Sequence, residues 1–88
     1  MVIETPENRI KRLKMRSWRR GMKEMDLILG PFSDTGLEQL NAVQLDEYEA
    51  MLAENDQDMY RWFSDQISAP AEFFDMVAHV KSQSLTLR

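Results

Sequence analysis

The sequence predicts an all-α fold, a small compact bundle of five to six short helices. Three observations carry that prediction. Only 11 of the 88 residues are Val, Ile or Thr, and no stretch sustains an apolar-polar alternation across hairpin turns, so strands have little support. Apolar residues instead recur at spacings of three and four, the period of a helix packed on one side. Pro, Gly, Asn and Asp punctuate these stretches at short intervals.

Thr5-Pro6-Glu7 reads as a helix start: a hydroxyl at the N-cap, Pro in the first turn where its missing N–H costs nothing, and an acid at the positive end of the dipole. Ile10, Leu13 and Trp18 give this helix a narrow apolar stripe. A second helix is expected over residues 20–29, with Met22, Met25, Ile28, Leu29 and the following Phe32 on one side and Gly30-Pro31 as its stop. Asp34 or Thr35 caps a short helix carrying Leu37 and Leu40, and a longer one over residues 44–54 aligns Leu45, Tyr48 and Leu52. Asn55 and Asp56 interrupt the pattern and cap the next segment, where Met59, Trp62, Phe63 and Ile67 make the clearest core face. Ser68-Ala69-Pro70 opens the last helix, with Phe73, Phe74, Val77 and Val80 inward. The whole of residues 1–88 is read as one domain whose ends, 1–5 and 83–88, fray.

Composition narrows the function. A chain of this length closes one modest core and leaves no room for a large, dry active site. There is no cysteine, which excludes disulfides, thiolate metal sites and Cys nucleophiles together. His79 is the only histidine and reads as a surface or half-buried packing residue, and Gly21, Gly30 and Gly36 match no phosphate-cradling loop. The serines have no neighbouring base and read as turn or cap residues. The expectation is that the protein is not an enzyme. No apolar run approaches the ~20 residues of a membrane span. Glu4, Pro6 and Glu7 stand where a signal or transit peptide would need a different composition, so a bacterial-type cytosolic protein is expected.

Charge is unevenly spread. The net charge is only −4, yet residues 1–26 hold eight basic side chains (Arg9, Lys11, Arg12, Lys14, Arg16, Arg19, Arg20, Lys23) against four acids. From Asp34 to Asp58 the charged residues are all acidic. Either the two edges attract each other within the fold, or one of them meets a partner. The seven methionines read first as core filling and second as an adaptable surface.

The segment Arg19-Arg20-Gly21-Met22-Lys23-Glu24 is poorly explained by local rules. Gly at a helix start costs stability against Ala, and consecutive Arg there oppose the dipole. A glycine admits close backbone approach, Arg20 offers a planar fork, and Glu24 a carboxylate one turn on. These features describe a recognition surface. The bland alternative is that Gly21 lets two helices of the bundle pack and that Arg20 and Glu24 form an exposed pair.

With these residues the chain resembles the FAD assembly factors of succinate dehydrogenase, the SdhE family. The resemblance rests on Arg20-Gly21-x-x-Glu24 within Arg19 to Leu29, on Pro31-Phe32, on Leu45-Asp46-Glu47-Tyr48 with Leu52, on Asn55 to Trp62, and on Ala69 to Phe73, and it covers about residues 8–82. Met15 departs from the aromatic residue expected at its position. The resemblance implies a helical bundle that binds the flavoprotein subunit of succinate dehydrogenase, and often that of fumarate reductase, and promotes covalent attachment of FAD to a His there. It implies partner-binding roles for Arg19, Arg20, Gly21, Lys23 and Glu24, no stably bound cofactor, no membrane insertion and a monomer when free. The competing expectation is a nucleic-acid or anionic-surface binder using residues 9–23, whose affinity would fall steeply with salt.

Overall fold

The computed structural model describes residues 4–84. Five α-helices follow one another, α1 (Pro6–Trp18), α2 (Lys23–Gly36), α3 (Ala42–Leu52), α4 (Asp56–Phe63) and α5 (Ala71–Gln83), with a 3₁₀ turn at Leu37–Gln39. Among the described residues there is no strand. The helix α1 packs chiefly along α2, while α3 packs on α5.

The predicted starts form as the residue types dictate. Thr5 Oγ1 accepts from Asn8 N at 3.1 Å with Pro6 at the first helical position. Asn41 and Gln44 make a reciprocal capping box on α3. Asn55 Oδ1 accepts from Gln57 N at 2.8 Å at the head of α4. The core collects Leu13, Met25, Ile28, Leu29, Phe32, Leu37, Leu45, Tyr48, Leu52, Met59, Trp62, Phe63, Phe73, Val77 and Val80. Four methionines (25, 51, 59 and 76) are buried with them, which is the filling role expected of most.

The second helix departs from the sequence expectation. It neither begins at residue 20 nor ends at Gly30-Pro31; it starts at Lys23 and runs through Pro31 to Gly36. A proline inside a helix costs about 3 kcal/mol, mostly through one lost ladder bond and a clash with the preceding turn. Beyond it, however, Phe32 and Leu37 are buried, and each such side chain contributes about 1.5–3 kcal/mol. Gly30 eases the other steric conflict, because it has no Cβ to meet the proline ring. The same missing Cβ admits the Trp18 indole, which would lie 2.5 Å from a Cβ at that position. Asp34 and Thr35 therefore belong to the last turn of α2 and do not cap a separate helix.

Two inward assignments fail. Ile67 is 49% exposed, because α4 ends at Phe63 and Asp65 takes a left-handed φ of 63°, which resets the phase of the chain. Phe74 is 54% exposed, since adjacent residues on a helix point about 100° apart and Phe73 occupies the core. Four residues of the ends expected to fray lie within the described structure. Glu4 pairs with Arg12, Thr5 caps α1, α5 extends to Gln83 and Ser84 is buried. The remaining residues of those ends, 1–3 and 85–88, lie outside the described residues.

Candidate partner-binding site

Residues 19–22 form the corner between α1 and α2, and three acids hold or flank it. Asp56, the first residue of α4, divides its carboxylate between two neighbours. Its Oδ1 accepts from Arg20 Nε at 2.7 Å, and its Oδ2 accepts from the Gly21 backbone N–H at 2.8 Å. Arg20 Nη2 also donates to the Glu54 carbonyl at 3.3 Å, and the Arg20 N–H donates to Asp26 Oδ1 at 2.6 Å. The guanidinium side chain is 11% exposed and the Asp56 carboxylate 17%. Charge-assisted bonds of this kind are short and roughly twice as strong as neutral ones, so the corner is tied to α4 and to the first turns of α2.

The rest of the segment points outward. Arg19, Gly21, Lys23 and Glu24 are exposed, and among the described residues none of their side chains pairs with another. Glu24 sits in the first turn of α2, where the helix dipole favours a carboxylate. It does not pair with Arg20, which has turned to Asp56; the bland Arg20-to-Glu24 pair is absent. Nor does Gly21 serve helix packing. A Cβ there would meet only Asp56 Oδ2 at 3.6 Å, an ordinary contact, and no glycine has a positive φ. A groove of about 400 Å³ lined by Gly21, Met22, Asn55, Asp56 and Gln57 opens beside the corner. A recess of about 260 Å³ between Met15, Arg16, Arg19 and Arg20 lies against it as well.

Sequence reading placed Arg20, Gly21 and Glu24 together but missed Asp26 and Asp56 as the groups that hold the corner. The one available signal was the acidic run opposite a basic segment; the 35 and 36 residues separating Asp56 from Gly21 and Arg20 hid the pairing.

Three of the eight basic side chains of residues 1–26 are also neutralised within the fold. Arg9 bonds Asp46 at 2.6 Å and Glu49 at 3.1 Å, and Arg12 bonds Glu4 at 2.8 Å and Glu49 at 3.1 Å. The Arg12 hydrogen bond, with Arg9 behind it, holds the Glu49 carboxyl below its ordinary value, and the Arg12 bond does the same for Glu4. Beneath this cluster, buried Ser17 donates to the Leu13 carbonyl at 2.8 Å and lies 2.6 Å from the Tyr48 hydroxyl. Burial pushes the Tyr48 phenol up to about 12, against smaller opposing effects from Ser17 and Arg20. Arg9, Arg12 and Arg20 are thus committed to acids, leaving Lys11, Lys14, Arg16, Arg19 and Lys23 as the uncommitted cations of the basic segment. The described residues contain no cluster of His or acids able to hold a metal ion, and no helix long and apolar enough to cross a membrane.

Residues 11–84 match the family described as flavinator of succinate dehydrogenase. The chain belongs to this family. It is a family of assembly factors and not of enzymes, which agrees with the chemistry missing from the sequence. Relatives carry the name succinate dehydrogenase assembly factor 2, mitochondrial. The chain is 44% identical over 59 residues to that of Meyerozyma guilliermondii, covering 67% of this chain and 44% of the relative. It is 36% identical over 63 residues to that of Dictyostelium discoideum, covering 72% and 45%. A Drosophila melanogaster relative, assembly factor 2-B, is 38% identical over 72 residues, covering 80% and 46%. The chain thus spans less than half the length of these curated relatives.

These names overturn the expectation of a bacterial-type cytosolic protein, because the relatives are mitochondrial proteins of fungi, Dictyostelium and Drosophila. The match to the flavinator family begins at residue 11, so Glu4, Pro6 and Glu7 lie outside it and their composition does not identify a compartment.

Proposed function

We propose that this flavinator-family chain binds the flavoprotein subunit of succinate dehydrogenase in a mitochondrial setting and promotes covalent attachment of FAD to a histidine of that subunit. It acts as a monomer, holds no flavin stably itself, and takes the fumarate reductase flavoprotein as a second client. The contact surface is the α1–α2 corner, with Arg19, Gly21, Lys23 and Glu24 facing the partner and Arg20 beside them.

The observation that carries this reading is Gly21. It is exposed, its φ is not positive and a Cβ would fit. Replacing a glycine by alanine in a compatible conformation stabilises a fold by about 0.4–1 kcal/mol through the unfolded chain. The fold on its own would therefore gain from alanine. A partner backbone lying against the bare corner explains why glycine stands there, and Lys23 and Glu24 on the next turn can fix its register through charge-assisted bonds. Holding a histidine and a flavin in reacting geometry needs no catalytic group on the factor, since positioning alone lowers the barrier.

The test is co-expression of the succinate dehydrogenase flavoprotein subunit with and without this chain, reading covalent flavin by fluorescence in a denaturing gel. Gly21→Ala and Glu24→Ala should retain or exceed 90% of the folded population by circular dichroism, on the order of the small changes expected at exposed sites, yet lower the covalent flavin. Equal fluorescence with wild-type chain and with none would refute the function, and undiminished fluorescence with both variants would refute the site.

The anionic-surface reading loses support from the ion pairs. Arg9, Arg12 and Arg20 are spent on internal acids, and Glu7 and Glu38 line the same recess as Lys11 and Lys14.

A further inference from the structure

Asp56 reaches the exposed corner from the head of α4 and binds both residues at its centre. One carboxylate oxygen holds the Arg20 side chain and the other holds the Gly21 N–H. The Arg20 fork is also occupied by the Glu54 carbonyl, so the group that would bind a partner's carboxylate is turned into the protein. Both side chains are nearly covered, at 11% and 17% exposure, whereas Arg19, Lys23 and Glu24 are open to solvent.

From this geometry we infer that Asp56 is a positioning residue for the partner surface, and that Arg20 serves the same purpose in place of contacting the partner. The inference rests on the proposed function and divides its surface into two layers. Arg20 and Asp56 form an inner clamp between the α1–α2 corner and the head of α4. Gly21 and Glu24, with Arg19 and Lys23, form the outer layer that meets the flavoprotein. The physical reason is geometric. A carboxylate has two oxygens in one plane, and here each is committed to one neighbour, so the guanidinium fixes the carboxylate and the carboxylate fixes the Gly21 amide. Asp26, bonded to the Arg20 N–H at 2.6 Å, braces the same corner from α2. Loss of either clamp partner frees the same segment, which is why the two losses should not add.

Two measurements on the full chain test this with Asp56→Ala, Arg20→Ala and the double variant. The first needs no partner. In amide NMR spectra the Gly21 resonance should shift on Asp56→Ala, and should shift in the same direction on Arg20→Ala, while amides in α5 stay in place. A Gly21 resonance unmoved by Arg20→Ala would overturn the clamp. The second is the dissociation constant for the succinate dehydrogenase flavoprotein subunit. Each single variant should weaken binding by about tenfold, and the double variant by no more than about threefold beyond the weaker single, the non-additivity of residues acting as one unit. A double variant whose loss is the product of the single losses would show that Arg20 meets the partner itself and would overturn the inference. Should wild-type chain fail to bind any such subunit, the function proposed above falls, and the clamp is still decided by the Gly21 resonance. Asp56→Asn guards against misfolding: it keeps one acceptor oxygen and should give an intermediate Gly21 shift and an intermediate affinity.

Discussion

The Ser17 and Tyr48 hydroxyls lie 2.6 Å apart in a site with no measurable exposure of either residue, and their bonding direction can be worked out. Ser17 already donates to the Leu13 carbonyl at 2.8 Å, so its proton is committed and the Tyr48 hydroxyl is the donor of the pair. That arrangement requires a neutral phenol, and burial pushes the Tyr48 pKa up to about 12 from an ordinary 10.0. A raised pKa in the folded state means stability that is fully present below pH 10 and is lost as pH climbs through 12. Two units correspond to about 3 kcal/mol at full titration.

Tyr48→Phe separates this effect from every other alkaline process. At pH 7 the variant should be less stable by about 1 kcal/mol, the net value of one hydrogen bond. Above pH 10 the wild type loses up to about 1.4 kcal/mol per pH unit through Tyr48 alone, a loss the variant does not share. The two stabilities should therefore converge and cross near pH 11, by about which point one unit of titration has offset the hydrogen bond. Urea unfolding at a series of pH values measures both curves, and whatever the two chains share cancels in the difference. Parallel curves from pH 7 to 11.5 would refute the buried-donor assignment.

Gly30→Ala should lower the melting temperature by at least about 5 °C and redshift the Trp18 fluorescence, because the new Cβ meets the indole at 2.5 Å and dislodges the Trp18-to-Asp34 bond of 3.0 Å. Unchanged melting and emission would mean that the indole does not lie on Gly30. Glu49→Gln tests the α1–α3 ion cluster at acid pH. Since the folded Glu49 pKa lies below its ordinary 4.5, its contribution is present above pH 4.5 and fades below it, so wild type and variant should converge in urea as pH falls toward 3. With Glu49 one-third exposed the difference at pH 7 should be no more than about 1 kcal/mol, and a gap that persists at pH 3 would exclude the ionised pairs as its cause.

Helix starts and the main core faces were legible because their causes are local. Thr5-Pro6, Asn55 and the Met59, Trp62, Phe63 spacing act within one or two turns, and the structure follows them. Gly30-Pro31 misled because a local cost met a larger distant gain: Trp18, twelve residues earlier, covers Gly30, and the turns beyond Pro31 bury Phe32 and Leu37. Ser17 gave no sign of burial in the sequence, since its partner Tyr48 lies 31 residues on in α3. At the candidate site the outer residues were legible as an oddity of Gly and Arg at a helix start. The inner clamp was not, because a carboxylate at the head of α4 looks like an ordinary cap until the fold brings Gly21 to within 2.8 Å of it.

The charge asymmetry, finally, acquires a physical meaning from the way its cations are divided. An unpaired basic stripe along α1 would repel itself and attract nucleic acid or anionic lipid without much selectivity. In the fold the acidic half neutralises that stripe unevenly: Asp46 and Glu49 take Arg9 and Arg12 in the first half of α1, and Asp56 takes Arg20 at the corner. Uncommitted Arg19 and Lys23 therefore remain on either side of Gly21, with Glu24 beside Lys23 as an open acid. A surface holding both signs within one turn discriminates by register, because a shift of one position sets like charges together, at a cost of several kcal/mol in a desolvated interface. Selectivity for one protein face, which an assembly factor needs and a general polyanion binder does not, is what the proposed contact surface would draw from this arrangement: internal acids take Arg9, Arg12 and Arg20, Lys11, Lys14 and Arg16 stay unpaired along α1, and the corner keeps a short pattern of opposed charges around a glycine.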